Sequence, residues 1–364
     1  MSYPLIIVGA GASKGYLIQE NLPFKFVSED QAKWKSPLMN ELFDNKRFDD
    51  VIGRHLNVRS IASEIAGKLL KKVDNQDQKN IEQENFESIL TDLKNNKAKN
   101  NQKIYGQLIA LIYYLADLFQ QVSLKYYHPI NNYKYLLQQI DHFFKGKACF
   151  VSFNYDLLLE RSIEEQTGSS FITLDNFITG NIKVIKLHGS CNWVHNPVDI
   201  EETKEKYPTS ESFFAAKAES IINNNERLEI YPTVKDISKS QSYNIELNSK
   251  LQAWVATLPA LALPLNDEKN YVCPDNHIST LKQCIKEANK VLIIGWRAMD
   301  PFLIDNLEQY LPGNVPVAIV SGSKSKQEVM PNLGKIKNKV TTIGDKFTKF
   351  ITTGILDRFL TKKV

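Results

Sequence analysis

The chain has 364 residues, 43% of them hydrophobic and 24% charged, enough to bury the core of one large domain or two modest ones. Its 45 basic and 41 acidic side chains are interspersed and leave a formal charge of only +4, which gives no footing for a nucleic-acid surface. The most apolar run, LIALIYYLADLF at 108–119, is interrupted by Asp117 and falls short of the roughly 20 residues a membrane span needs, so it reads as a core helix.

The N-terminal MSYPLIIVGAGAS has no basic n-region, and its apolar run leads straight into glycines, so a cytoplasmic protein is expected. PLIIVGAGAS itself reads as a buried strand followed by a glycine turn, the opening of a phosphate-binding β-loop-α unit. From 38 to 144 the pattern turns helical. SIASEIAGKLLKKV places Ile61, Ile65 and Leu69 on one face, and NFESILTDL repeats the pattern with Phe86, Ile89, Leu90 and Leu93. The polar stretches 74–85 and 94–103 read as loops.

Strand signals return at KACFVSFNYD, IKVIKLHGS, KVLIIGW (290–296) and VPVAIVSG (315–322), each an apolar run ending in polar residues or glycine. Residues 198–255 are charged, asparagine-rich and weakly periodic, as suits an insertion. KFTKFITTGILDRFL reads as one closing amphipathic helix. The expected architecture is α/β: a discontinuous Rossmann-like domain of 1–37 and 145–364 with a parallel sheet, carrying a helical insertion domain at 38–144.

Three stretches carry polar groups to strand ends. Gly9, Ala10, Gly11, Ala12 and Ser13 form a glycine turn suited to a pyrophosphate, although Lys14 stands where a dinucleotide fingerprint has its third glycine. Glu29 and Asp30 lie about 20 residues on, where a ribose-binding acid belongs. Asn154 and Asp156 follow the second strand and would also serve as helix caps. His188, with Gly189 beside it, ends the third, where a partly buried structural histidine is the plain alternative. Parallel topology brings such ends to one edge. The four cysteines, Cys149, Cys191, Cys273 and Cys284, show neither a C-x-x-C pair nor finger-spaced histidines, so no metal is expected and buried thiols are.

Taken in order, GAGAS, SFNYDLLLE, KLHGSCNW and VLIIGWRAMDP resemble the sirtuin-like family, in the form found in bacterial antiphage NAD-consuming proteins. The resemblance spans about 300 residues. It implies cleavage of the nicotinamide–ribose bond of NAD+, with Gly9 to Ser13 on the pyrophosphate, Asn154 orienting water or the ribose hydroxyls, Asp156 supporting the nicotinamide end, and His188 as the base. Gly295, Trp296 and Asp300, then Ser321 and Gly322, would line the adenosine side. It further implies a homo-oligomeric effector of antiviral defence that depletes NAD+ when switched on by a separate subunit, such as a HerA-like ATPase.

The chain departs from sirtuin deacylases. It cannot build their two-cysteine-pair zinc module, SF precedes the asparagine where a deacylase has glutamine, and no acyl-peptide groove is recognisable. NAD+ hydrolysis is therefore expected ahead of lysine deacylation. A non-catalytic module that binds NAD+ or ADP-ribose is the alternative from another class; a nicotinamide dehydrogenase ranks below both, lacking the full glycine fingerprint.

Overall fold

The structure, a computed structural model, describes residues 3–17, 27–55, 57–59, 61–63, 65, 86–97, 102–195, 198–200, 206–207, 209–218, 230–231, 246–248, 253–263, 271–322, 329–343 and 346–361. In chain order its strands are β1 (Tyr3–Val8), β2 (Ala148–Ser152), β3 (Ile182–Lys186), β4 (Gly189–His195), β5 (Val198–Ile200), β6 (Ile230–Tyr231), β7 (Glu246–Asn248), β8 (Ala253–Ala256), β9 (Pro259–Leu261), β10 (Ala288–Ile294), β11 (Val317–Val320) and β12 (Val340–Ile343). Two compact units emerge. The first comprises Met1–Leu38, Val122–Gly189 and Cys273–Val364, the second Met39–Gln121 and Ser190–Val272.

The first unit is built on a six-stranded sheet in the order β12-β11-β10-β1-β2-β3, and every neighbouring pair is parallel. Helices flank the sheet, so β1, β11 and the Val291–Ile294 part of β10 are apolar runs, with Leu5, Ile6, Ile7 and Val8 fully buried. Numbered within this sheet alone, the strands lie 3-2-1-4-5-6, the doubly wound arrangement of a Rossmann-like fold. The winding reverses between β1 and β10, and a ligand crevice belongs outside the carboxyl ends of those strands.

At that switch point the two turns meet backbone to backbone. Gly9 N–H donates to Ile294 O and Gly11 N–H to Gly295 O, both at 3.0 Å. A Cβ on Gly9 would stand 2.6 Å from Gly295 O, and one on Gly295, whose φ is +61°, would stand 2.3 Å from Ala12 N.

In the second unit the apolar run 108–119 lies within the helix Gln102–Lys125, and its interruption is accounted for. Asp117 is buried and takes a two-pronged bond from Arg54 (2.9 and 3.0 Å) together with His55 Nε2 at 3.1 Å, while His55 Nδ1 lies 3.0 Å from Glu211. Two small sheets, ordered β6-β4-β9 and β5-β8-β7, complete this unit.

Several expectations need correction. Residues 94–103 are not simply a loop: a π-helical turn, Leu93–Lys97, extends the helix Phe86–Asp92 because buried Leu93 anchors it, and Gln102 already begins the next helix. The closing helix is two, Phe347–Thr352 and Ile355–Thr361, divided at Gly354 (φ +70°) so that Phe350 and Ile351 on one side and Leu356 and Leu360 on the other are all buried. Weak periodicity over 198–255 concealed β5 to β8, strands of two to four residues. β12 was missed because VTTI is a half-exposed edge strand without an apolar run. The stretch 74–85 and Leu69 lie outside the described residues. Among the described residues no helix is long and apolar enough to cross a membrane.

Two outcomes follow from these contacts. Gly295→Ala should lower stability by about 2 kcal/mol or more in thermal melting, since backbone must move, whereas Gly322→Ala, with nothing within 4 Å of its Cβ, should stay within about 0.5 kcal/mol. Burial alone would lower the pKa of His55, but its bonds to Asp117 and Glu211 outweigh this and leave it raised. A raised pKa means the stabilisation is whole below the unfolded value of about 6.5 and is lost as pH climbs through the folded value. Melting temperature should therefore fall on alkalinisation above about pH 6.5, and His55→Gln should flatten that dependence.

Candidate functional site

The site is assembled on the first unit, at the carboxyl edge of its sheet. β1 delivers the glycine turn, β2 the sequence Phe153-Asn154-Tyr155-Asp156, and β3 Lys186, Leu187 and His188. β10 delivers Gly295 and Trp296, and β11 ends beside Ser321.

Asn154 does not cap the helix that follows it. That helix, Leu158–Thr167, has Leu157 at its N-cap position with no side-chain cap, and the Asn154 amide turns back to β1 instead. Its Nδ2 donates to Gly9 O at 3.1 Å and to Ser13 Oγ at 2.9 Å. Ser13 Oγ in turn donates to Asp156 Oδ1 at 3.2 Å, and Tyr133 Oη lies 3.4 Å from the same hydroxyl. A buried relay thus runs from the glycine turn through an amide and a hydroxyl to a carboxylate.

Asp156 is 2% exposed. Besides Ser13 it accepts from Ser36 Oγ at 3.2 Å and from Leu158 N–H at 3.2 Å, so its capping contact is one of three. Burial pushes its carboxyl up; Lys186, Leu158 N–H and the two serine hydroxyls pull it back without cancelling the rise. Three donors around one carboxyl suit its ionised, acceptor-only form.

Below this relay lies a fully buried cation. Lys186 Nζ donates to Asp156 O at 2.7 Å and to Glu160 Oε1 at 2.5 Å, fixing the turn that carries Asp156. Burial raises the Glu160 carboxyl against the attraction of Lys186.

His188 stands further out, its side chain 20% exposed. Phe153 meets its ring edge-on with centroids 5.0 Å apart, and Phe153 lies flat on Trp296 at 4.9 Å and 9°. Asp300 Oδ2 is 3.3 Å from His188 Nε2, while Asp300 Oδ1 accepts Leu303 N–H at 2.7 Å as N-cap of the helix Pro301–Tyr310. Gly189, at φ +76°, lets β3 turn directly into β4.

The structure thus joins Gly9, Ser13, Asn154 and Asp156 in one network, and His188, Trp296 and Asp300 in a second. Ala10 and Ala12 lie in the short helix that starts at the glycine turn; Gly295 seals that turn from β10. Ser321 is buried at the end of β11, outside both networks. Glu29 and Asp30 lie exposed in the first turn of the helix Glu29–Lys33, capped by Ser28, and make none of the contacts that join the networks. The amides of Gly9 and Gly11, which a phosphate loop would offer, bond the chain itself.

Ser36, Tyr133, Phe153, Glu160 and Lys186 were not anticipated. Lys186 left a trace, a lysine inside the apolar run IKVIKL; Ser36 and Tyr133 left none, being brought in from distant segments. A cleft of about 350 Å³, lined by Lys145, Gly146, Gly180 and Asn181 among others, lies at the opposite, amino-terminal ends of β2 and β3, away from these groups. All four cysteines are free and buried, and no cluster of metal-ligating side chains occurs among the described residues.

No protein-family model matches the sequence, and no curated protein does. Solved structures do align. A Sir2 homologue in complex with 2′-O-acetyl ADP-ribose is 12% identical, with a TM-score of 0.40 over 100% of this chain and 94% of that one. A Sir2 homologue–NAD complex is 11% identical, TM-score 0.37, over 99% and 91%. A further Sir2 enzyme structure is 13% identical, TM-score 0.38, over 98% and 93%.

The buried pair gives a measurable consequence. Lys186→Met leaves the Glu160 carboxylate without its cation and should cost about 3–5 kcal/mol in denaturant unfolding. Adding Glu160→Leu should recover much of that loss, because a missing pair is cheaper than a lone buried charge.

Proposed function

We propose that this chain is an NAD+ hydrolase, releasing nicotinamide and ADP-ribose. The observation that carries the reading is the Asn154–Ser13–Asp156 relay bound to the glycine turn at the switch point of a parallel sheet, with His188 on the neighbouring strand end. The ordered motifs of the sequence support it.

The chemistry assigns each group a task. The glycosidic bond breaks with its electron pair going to the nicotinamide nitrogen, which becomes neutral, and positive charge develops on the ribose. Asp156, fixed by three donors, contributes a preorganised negative potential toward that charge. Asn154 holds Ser13 and the Gly9 carbonyl in register. Water adds at the ribose carbon, and His188, the more exposed group, accepts its proton. The proposed defence role, homo-oligomer and activating subunit rest on the sequence resemblance alone.

One observation favours a second reading, a module that binds NAD+ or ADP-ribose without cleaving it: both bonds from the Asn154 amide go to the chain itself, as in a structural latch. Nicotinamide release measured by chromatography, beside NAD+ binding by calorimetry, separates the two. The assay is run on the chain alone and with the proposed activating subunit added. Hydrolysis predicts turnover that Asn154→Ala and His188→Ala each lower about 100-fold, with melting temperatures near wild type for His188→Ala. Binding with no nicotinamide release under either condition would establish the module, and release only upon addition of an acyl-lysine peptide would establish a deacylase.

A further inference from the structure

We propose that Asp300 is the positioning residue of His188: it accepts the Nε2 proton, fixes the tautomer, and leaves Nδ1 as the basic nitrogen. This rests on the reading of His188 as the base.

The Asp300 carboxylate is held at both oxygens. Asp300 Oδ1 is committed to Leu303 N–H at 2.7 Å and the adjacent Pro301 starts the helix, while Oδ2 is aimed in another direction. That direction is His188 Nε2, 3.3 Å away. An ionised carboxylate only accepts, so the ring nitrogen facing it carries the hydrogen and the other carries the lone pair. Carboxylates set histidine tautomers in this way in many sites.

The ring has little freedom to escape. Leu187 is fully buried and Gly189 sits at φ +76°, which pins the backbone on both sides of His188. Phe153 closes one edge of the ring and is itself backed by Trp296. The loop presenting Asp300 is also specifically shaped: Gly295 and Ala298 both have positive φ, +61° and +55°, and Ala298 is fully buried. A buried alanine in the left-handed region persists only where surrounding structure demands it, and here it turns the chain from β10 toward Asp300.

The competing role, a helix cap and nothing more, is separable because asparagine and serine cap as well as aspartate does. Asp300→Asn and Asp300→Ser keep the cap and remove the charge. Nitrogen-15 NMR of histidine-labelled protein, with His188 assigned through His188→Gln, should show the Nε2–H tautomer in the wild type and a mixture in both variants. Nicotinamide release should fall about 100-fold in kcat in both, with KM for NAD+ changed less than about threefold and melting temperature preserved. An Nδ1–H tautomer in the wild type would overturn the proposal, as would wild-type turnover in both variants. A wild type that releases no nicotinamide would fail the hydrolase reading, and the NMR result alone would then decide whether Asp300 sets the tautomer. If Asp300→Asn melts early, Asp300→Ser decides between lost cap and lost charge.

Discussion

The closure of the β1 turn on the β10 turn, with bare backbone against bare backbone, is the constraint on which the rest of the first unit depends. Gly9 and Gly11 hand their amides to Ile294 and Gly295, and no Cβ fits on Gly9 or Gly295 without moving main chain. Because that contact sits where the winding of the sheet reverses, it sets the floor on which the strand-end side chains converge. Asn154 is then tied to Gly9 O, Ser13 to Asn154, and Asp156 to Ser13, so the geometry of the relay is inherited from the seal.

This changes what the glycines are for. A glycine-rich turn after a first strand is ordinarily read as room for a phosphate, and here Gly295 also lies against that turn. The glycines allow close approach, as their chemistry dictates, yet the approaching group is the protein's own chain. The asparagine that follows β2 likewise serves neither of its two simple readings alone. It does not cap a helix, and its amide secures the turn that any ligand would meet.

Both units embed charge in apolar surroundings, and each does so with compensation. Lys186 answers Glu160 beneath the relay, and Asp117 receives Arg54 and His55 in the second unit. The energetic rule is the same in both places: the group costs little while its partners stay and a great deal once one leaves. His55, flanked by two carboxylates and raised in pKa, makes the second unit lose stability as pH climbs, and the buried carboxyls of Asp156 and Glu160, raised by burial, act in the same sense in the first.

The sequence by itself determined the parallel α/β class, because strands buried on both faces are written as largely apolar runs, and five of the six main strands carried such a run. It also placed Gly9, Ser13, Asn154, Asp156 and His188 at strand ends, since polar residues closing an apolar run are local signals. Only the tertiary structure decided the partners. Asp300 reads in the sequence as a residue before a proline, and its approach to His188 spans 112 positions. Ser36 and Tyr133 reach the relay across 120. β12 escaped because an edge strand is half exposed and need not be apolar, and the tail's break at Gly354 because a helical pattern survives a turn that one glycine can make. Periodicity records which face of an element is buried, whereas pairing across the fold depends on how the chain is wound, and that is written in no single stretch.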